Sequence, residues 1–210
     1  MHLQNRIDPF GRFHAVSDRG DLMGNRGILH DDRQNVLKTH AHQNWVACSL
    51  SFKGRKRQIM APGSYTELFF LDEATALAAG HRPCATCRRD RYLAFTGAWA
   101  RVHGGATDGR SLPQTIDRAL HKARISRSGE KIAHQADCAS LPNGAMFADG
   151  TQAFVVWQGD RYRWSFAGYF VDGPVRGGDV SVLTPWPLIA VLRDGYRPQV
   201  HESLGRTLKI

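Results

Sequence analysis

The sequence predicts an α+β protein: mixed short strands, three or four helices and a β-rich C-terminal third. Three observations carry this. Runs of alternating polar and apolar residues occur at both ends of the chain. Between them lie amphipathic stretches with capping residues. The 21 glycines and 9 prolines cut the 210 residues into short segments rather than long helices. Hydrophobic residues make up 42%, enough for a sizeable core and too many for a disordered chain.

The elements follow in order. "GRFHAV" alternates from Gly11, and "DLMGNRGILH" carries turn signals at Gly24, Asn25 and Gly27. "MGNRG" could also present backbone N–H groups to an anion, although a plain hairpin turn explains it equally well. "NWVACSLSF" (44–52) reads as a strand, with Cys48 packing as a small hydrophobe. "KGRKR" (53–57) follows, and "TELFFL" is another short strand.

Asp72 can cap a helix over "EATALAA". Gly80 suits the left-handed position past its end, and Pro83 prevents resumption. A second helix is expected from about Ala85 to Val102 and a third from about Pro113 to Ile125. Arg88, Arg89 and Arg91 crowd the first turns of the second, where the helix dipole disfavours cations, so an anion nearby is expected. "AFVVW", "RYRWSF" and "GYF" suggest a meander with a turn at Gln158-Gly159-Asp160. Thr184 and Pro185 open a last short helix. Residues 1–103 and 104–210 form two segments expected to pack as one globular unit.

The formal net charge is +9, from 28 Lys and Arg against 19 Asp and Glu, which favours anionic partners, nucleic acid first. Lys53, Arg55, Lys56, Arg57, Arg82, Arg88 and Arg89 are the candidate phosphate contacts. No apolar run of about 18 residues occurs, so no membrane span is expected. The N-terminus lacks the apolar core of a signal peptide, which points to the cytoplasm. In that reducing compartment the four cysteines read as thiols or metal ligands.

Cys84-Ala-Thr-Cys87 supplies two sulfurs at a spacing one tetrahedral ion can use, which is half of a zinc site. "HQADC" offers His134 and Cys138 at i and i+4, a second pair if that stretch is helical. A redox pair or plain packing is the alternative for Cys84 and Cys87. His121 could act as a general base oriented by Asp117, at i and i+4, with Arg124 holding a phosphate, or the two could form an ordinary helix contact.

"ELFFLDEATALAAGHRPCATCRRDR" (67–91) resembles the second half of the N-terminal zinc domain of the Ada DNA-methylphosphotriester repair family. The match runs through Glu73, Ala76 to Gly80, Arg82, Pro83, Cys84 and Cys87. The resemblance implies zinc at Cys84 and Cys87 and a module that lies on DNA. The family's two further cysteines upstream, one of them the methyl acceptor, have no counterpart in "SFKGRKRQIMAPG", so that chemistry is not carried over. The leading expectation is a zinc-dependent, nucleic-acid-binding protein of DNA repair or processing. The alternatives are an enzyme acting on nucleic acid or a small phosphorylated substrate, with the cysteine pair structural, and a metal-free interaction module.

Overall fold

The computed structural model describes residues 2–54 and 58–204. The elements run β1 (Arg6–Ile7), β2 (Phe13–His14), β3 (Leu22–Asn25), β4 (Val46–Ser49), β5 (Leu68–Phe70), α1 (Glu73–Ala78), β6 (Arg82–Pro83), α2 (Arg89–His103) and α3 (Leu112–Arg124). They continue β7 (His134–Asp137), β8 (Met146–Asp149), β9 (Gln152–Trp157), β10 (Asp160–Ser165), β11 (Gly168–Pro174), β12 (Asp179–Val182) and α4 (Trp186–Arg193). Among the described residues, then, four helices accompany two sheets of six strands, and the C-terminal region is β-rich.

The first sheet is mixed, in the order β2-β1-β5-β3-β4-β6. Its β1–β5 and β4–β6 pairs are parallel. The second sheet, β11-β10-β9-β8-β12-β7, is antiparallel throughout. Gln158 and Gly159, both at positive φ, make its two-residue β9–β10 hairpin. Gly24 lies inside β3 rather than at a turn. A Cβ there would stand 2.2 Å from the Phe70 ring, so the glycine makes room for an aromatic side chain on the neighbouring strand.

α1 sits between the sheets with all six residues buried. Ala76 joins Leu22, Ala47, Leu68 and Phe70 of the first sheet. Ala74 and Ala78 pack with Met146, Val155 and Trp164 of the second. The other face of the second sheet, through Phe147, Phe154 and Val182, meets Phe95 and Trp99 of α2, Ile116 and Leu120 of α3, and Leu188 and Val191 of α4.

A six-residue helix does not hold itself together in water. Here Asp72 caps it, accepting from the Thr75 backbone N–H and hydroxyl, both at 2.8 Å. The same carboxylate takes the Tyr169 hydroxyl at 2.9 Å and the His201 N–H at 3.0 Å, so one buried side chain ties α1 to β11 and the C-terminal segment. Glu73 does the same for α2, facing Arg88 and Arg91 at 3.2 and 3.0 Å and accepting from Tyr196 Oη at 2.5 Å. This buried carboxylate answers the arginines crowded at the start of α2.

α2 begins at Arg89, four residues later than expected, because the Cys-x-x-Cys stretch is a turn. α3 carries a Ser111–Gln114 capping box. At the last helix Pro185 is the cap, while the Thr184 hydroxyl accepts from the Met146 N–H inside the core. No helix among the described residues is long and apolar enough to cross a membrane.

Candidate metal centre and groove

Side chains alternate across a strand, so one face of the first sheet is set by every second residue. Met23 and Asn25 of β3, Val46 and Cys48 of β4, and Glu67 and Phe69 at β5 share the face turned away from α1. With Leu50, Phe52, Ile59 and Tyr65 from the loops and the Cys84–Cys87 turn, they line a groove of about 600 Å³.

The parallel β4–β6 pair places the cysteines. Ala47 lies opposite Pro83, and the Cys84 N–H donates to the Ala47 carbonyl at 2.9 Å, which carries the ladder one residue further. Cys48 and Cys84 therefore meet. The turn after β6 brings back Cys87, whose sulfur accepts from the Ser49 N–H at 3.4 Å, while Ser49 Oγ donates to the Cys87 carbonyl at 3.0 Å. All three sulfurs lie within 4.8 Å of one another, a cluster that can hold a metal ion. Two zinc–sulfur bonds of about 2.3 Å span roughly 3.8 Å at a tetrahedral angle, so the cluster needs only small side-chain adjustments.

The cluster is electrostatically uneven. The Cys48 thiol donates to Cys84, and with the N–H groups of Cys87 and Thr86 this pulls the Cys84 thiol down to about 4, against the opposing effect of burial. Cys48 is pushed up, first by that same hydrogen bond and then by burial. Cys87 is raised by burial. Cys84 is thus the thiolate of the group.

Cys48 does not pack as an inert hydrophobe: it is half-buried and supplies the third sulfur. His134 and Cys138 are not part of this cluster. His134 opens strand β7, so its i, i+4 relation to Cys138 does not put the two on one helical face. Cys138 is buried in the core beside α2, α3 and α4.

Other candidate residues are placed as follows. Arg82 is buried and donates to both oxygens of Asp117 at 2.7 Å. His121 is engaged with other groups, its ring 5.4 Å from that of His40 and its Nδ1 3.4 Å from Arg124. Arg88 is buried against Glu73 and donates to Gln199 at 2.6 Å. Lys53 and Arg89 are exposed. Arg55, Lys56 and Arg57 lie outside the described residues.

Sequence reasoning did not single out Asn25 or Glu67. Glu67 is buried; its Oε2 accepts from the Met60 N–H at 2.8 Å, and its Oε1 has no partner among the described residues. A carboxylate in an otherwise aromatic strand was the available signal.

No family model, curated protein or solved structure matches the chain.

Proposed function

We propose that the protein is a zinc–thiolate protein that takes an unstacked base of a nucleic acid into this groove, in nucleic-acid repair or processing. The observation that carries the reading is the convergence of Cys48, Cys84 and Cys87 on the wall of an aromatic-lined groove. Three thiolates suit zinc and leave one position of a tetrahedral ion for water, a substrate atom or a further ligand. The volume is that of a small-ligand site. Phe52, Tyr65 and Phe69 offer flat apolar surface, and Asn25 and the free oxygen of Glu67 offer hydrogen-bonding groups, the combination that reads an extruded base. The net charge of +9, and exposed Lys53 and Arg89 close in sequence to groove residues, supply attraction for phosphates. The resemblance of residues 67–91 to the Ada zinc domain agrees with this reading, with Cys48 contributing from a strand.

The test combines metal content with binding. Protein purified without added metal is expected to carry about one zinc per chain, as four-coordinate sites do, and Cys48→Ser or Cys84→Ser is expected to lose it. Labelled single-stranded DNA or RNA is expected to bind more tightly than duplex, with affinity falling as salt rises. Glu67→Gln is expected to weaken binding of some bases more than others. Metal content near zero, or no nucleic-acid affinity at low salt, removes the proposal.

A further inference from the structure

On the opposite side of the first sheet from the cysteine groove lies a second, much smaller cavity of about 50 Å³. Its walls carry the cations Arg26, Arg124 and Lys131, and among the described residues no carboxylate lines it. Trp45 forms the floor between the two guanidiniums, whose carbons lie 4.1 and 3.9 Å from its ring. Thr39 and Gly129, both exposed, stand at the mouth.

The cations are held from behind, with capacity left over. Arg26 is 1% exposed; its Nε donates to His81 Nε2 at 3.2 Å and its Nη1 to the Gly11 carbonyl at 3.3 Å, while Nη2 is buried without a partner. Arg124 gives Nη1 to the Gly80 carbonyl and Nη2 to the Gln43 carbonyl, and its Nε is also buried and unpartnered. Lys131 donates to the Ala78 carbonyl at 2.5 Å. The nearest carboxylates are committed elsewhere. Asp8 accepts from His14 and the Arg12 N–H, and Asp117 is held by Arg82.

Cations brought together with neutral hydrogen-bond partners and largely withdrawn from water form an arrangement that a bound anion stabilises well. Burial, and then repulsion from Arg26, pull Lys131 down to about 7, with Asp8 opposing them only in part, so an anion bound here would hold the lysine charged. We propose that this cavity is a phosphate site, binding a single tetrahedral oxyanion or the terminal phosphoryl group of a larger molecule. The volume excludes a base or sugar. Arg26 and Arg124 supply fork donors and Lys131 the point charge. The inference is independent of whether the cysteines hold a metal.

Thermal unfolding of the full-length chain in sodium phosphate, against sodium chloride at matched ionic strength, tests it. Phosphate is expected to raise the midpoint saturably, as a ligand of the native state does. Lys131→Met keeps the aliphatic stem and removes the charge. It is expected to weaken phosphate at least tenfold by calorimetry and to leave the midpoint in chloride unchanged or higher, since it relieves repulsion. A lysine serving only the Ala78 carbonyl would lower that midpoint instead. Arg26→Gln is the stronger lesion, and Lys131→Met decides the matter should that variant not fold. A 5′-phosphorylated dinucleotide compared with its 5′-hydroxyl form separates the sources: gain from the phosphorylated form over inorganic phosphate assigns a terminal phosphoryl group, and equality assigns the free ion. No phosphate-specific rise, or a Lys131→Met chain that binds phosphate as tightly as the wild type, overturns the proposal.

Discussion

The two sheets have equal strand numbers and opposite characters. Strands of the first are two to four residues long, mixed in direction, and expose one face to a groove. Strands of the second are four to seven residues long, antiparallel, and through β8 and β9 buried on both faces. The second sheet holds most of the apolar core; the first carries the cysteine cluster. Short strands with loops entering their face place unlike side chains side by side, as a regular meander does not. The division predicts that damage to one sheet and damage to the other are separable.

The largest effect is expected from Phe147→Ala. Phe147 is fully buried and stacks on Phe154 at 5.4 Å. Its loss should cost about 3–5 kcal/mol by denaturant unfolding. Metal content per folded molecule should not change; a parallel loss of metal would show that the sheets are one cooperative device rather than frame and site.

Gly24→Val attacks the first sheet. The new Cβ meets the Phe70 ring, and the overpacking should cost about 1–3 kcal/mol. Because Gly24 separates Met23 from Asn25 and pairs with Ala47 beside Cys48, metal affinity should fall along with stability, the reverse of the Phe147 result.

The cysteine cluster sharpens the contrast through pH. In chelator-treated protein the folded Cys84 thiol ionises near 4, so its thiolate persists as pH falls and is lost only on crossing that value. Its alkylation rate should stay nearly flat from pH 8 to about pH 5, where an ordinary thiol of pKa about 8.5 slows tenfold per unit. Peptide mapping after a brief pulse reads this, and a profile at Cys84 with a midpoint above 8 would contradict the arrangement. Metal uptake should still weaken in acid, because the ion competes with protons at the other two thiols.

The smallest effect is expected on the second sheet's surface. Arg161 and Asp172 pair at 2.6 Å while both remain partly exposed. Asp172→Ala should cost less than about 1 kcal/mol, shrinking further in high salt, with no change at the cysteines.

Local chemistry was legible in the sequence and long-range pairing was not. The Asp72 cap, the stop at Gly80, α3 and the β9–β11 meander follow from residues near one another in the chain. Cys84 and Cys87 were legible for the same reason. Cys48 was misread because a thiol that follows Val46 and Ala47 in a strand looks like core, and nothing local reports that β4 runs parallel to β6. Arg82 and Arg88 look like phosphate contacts until Asp117 and Glu73 arrive from other elements. The small cavity is harder still, since Arg26 is far along the chain from Arg124 and Lys131 and each reads alone as surface charge.

The parallel β4–β6 pair also sets an order of events in time. Cys84 and Cys87 are neighbours in any conformation of the chain, whereas Ser49 and Cys87 stand 38 residues apart and meet only when the sheet closes. A newly made chain can capture a metal loosely with two sulfurs before it folds, but tight loading waits for a slow, non-local step. In a stopped-flow refolding experiment the high-affinity state should therefore appear with the formation of the sheet and not ahead of it, making the metal a late witness of folding rather than its nucleus.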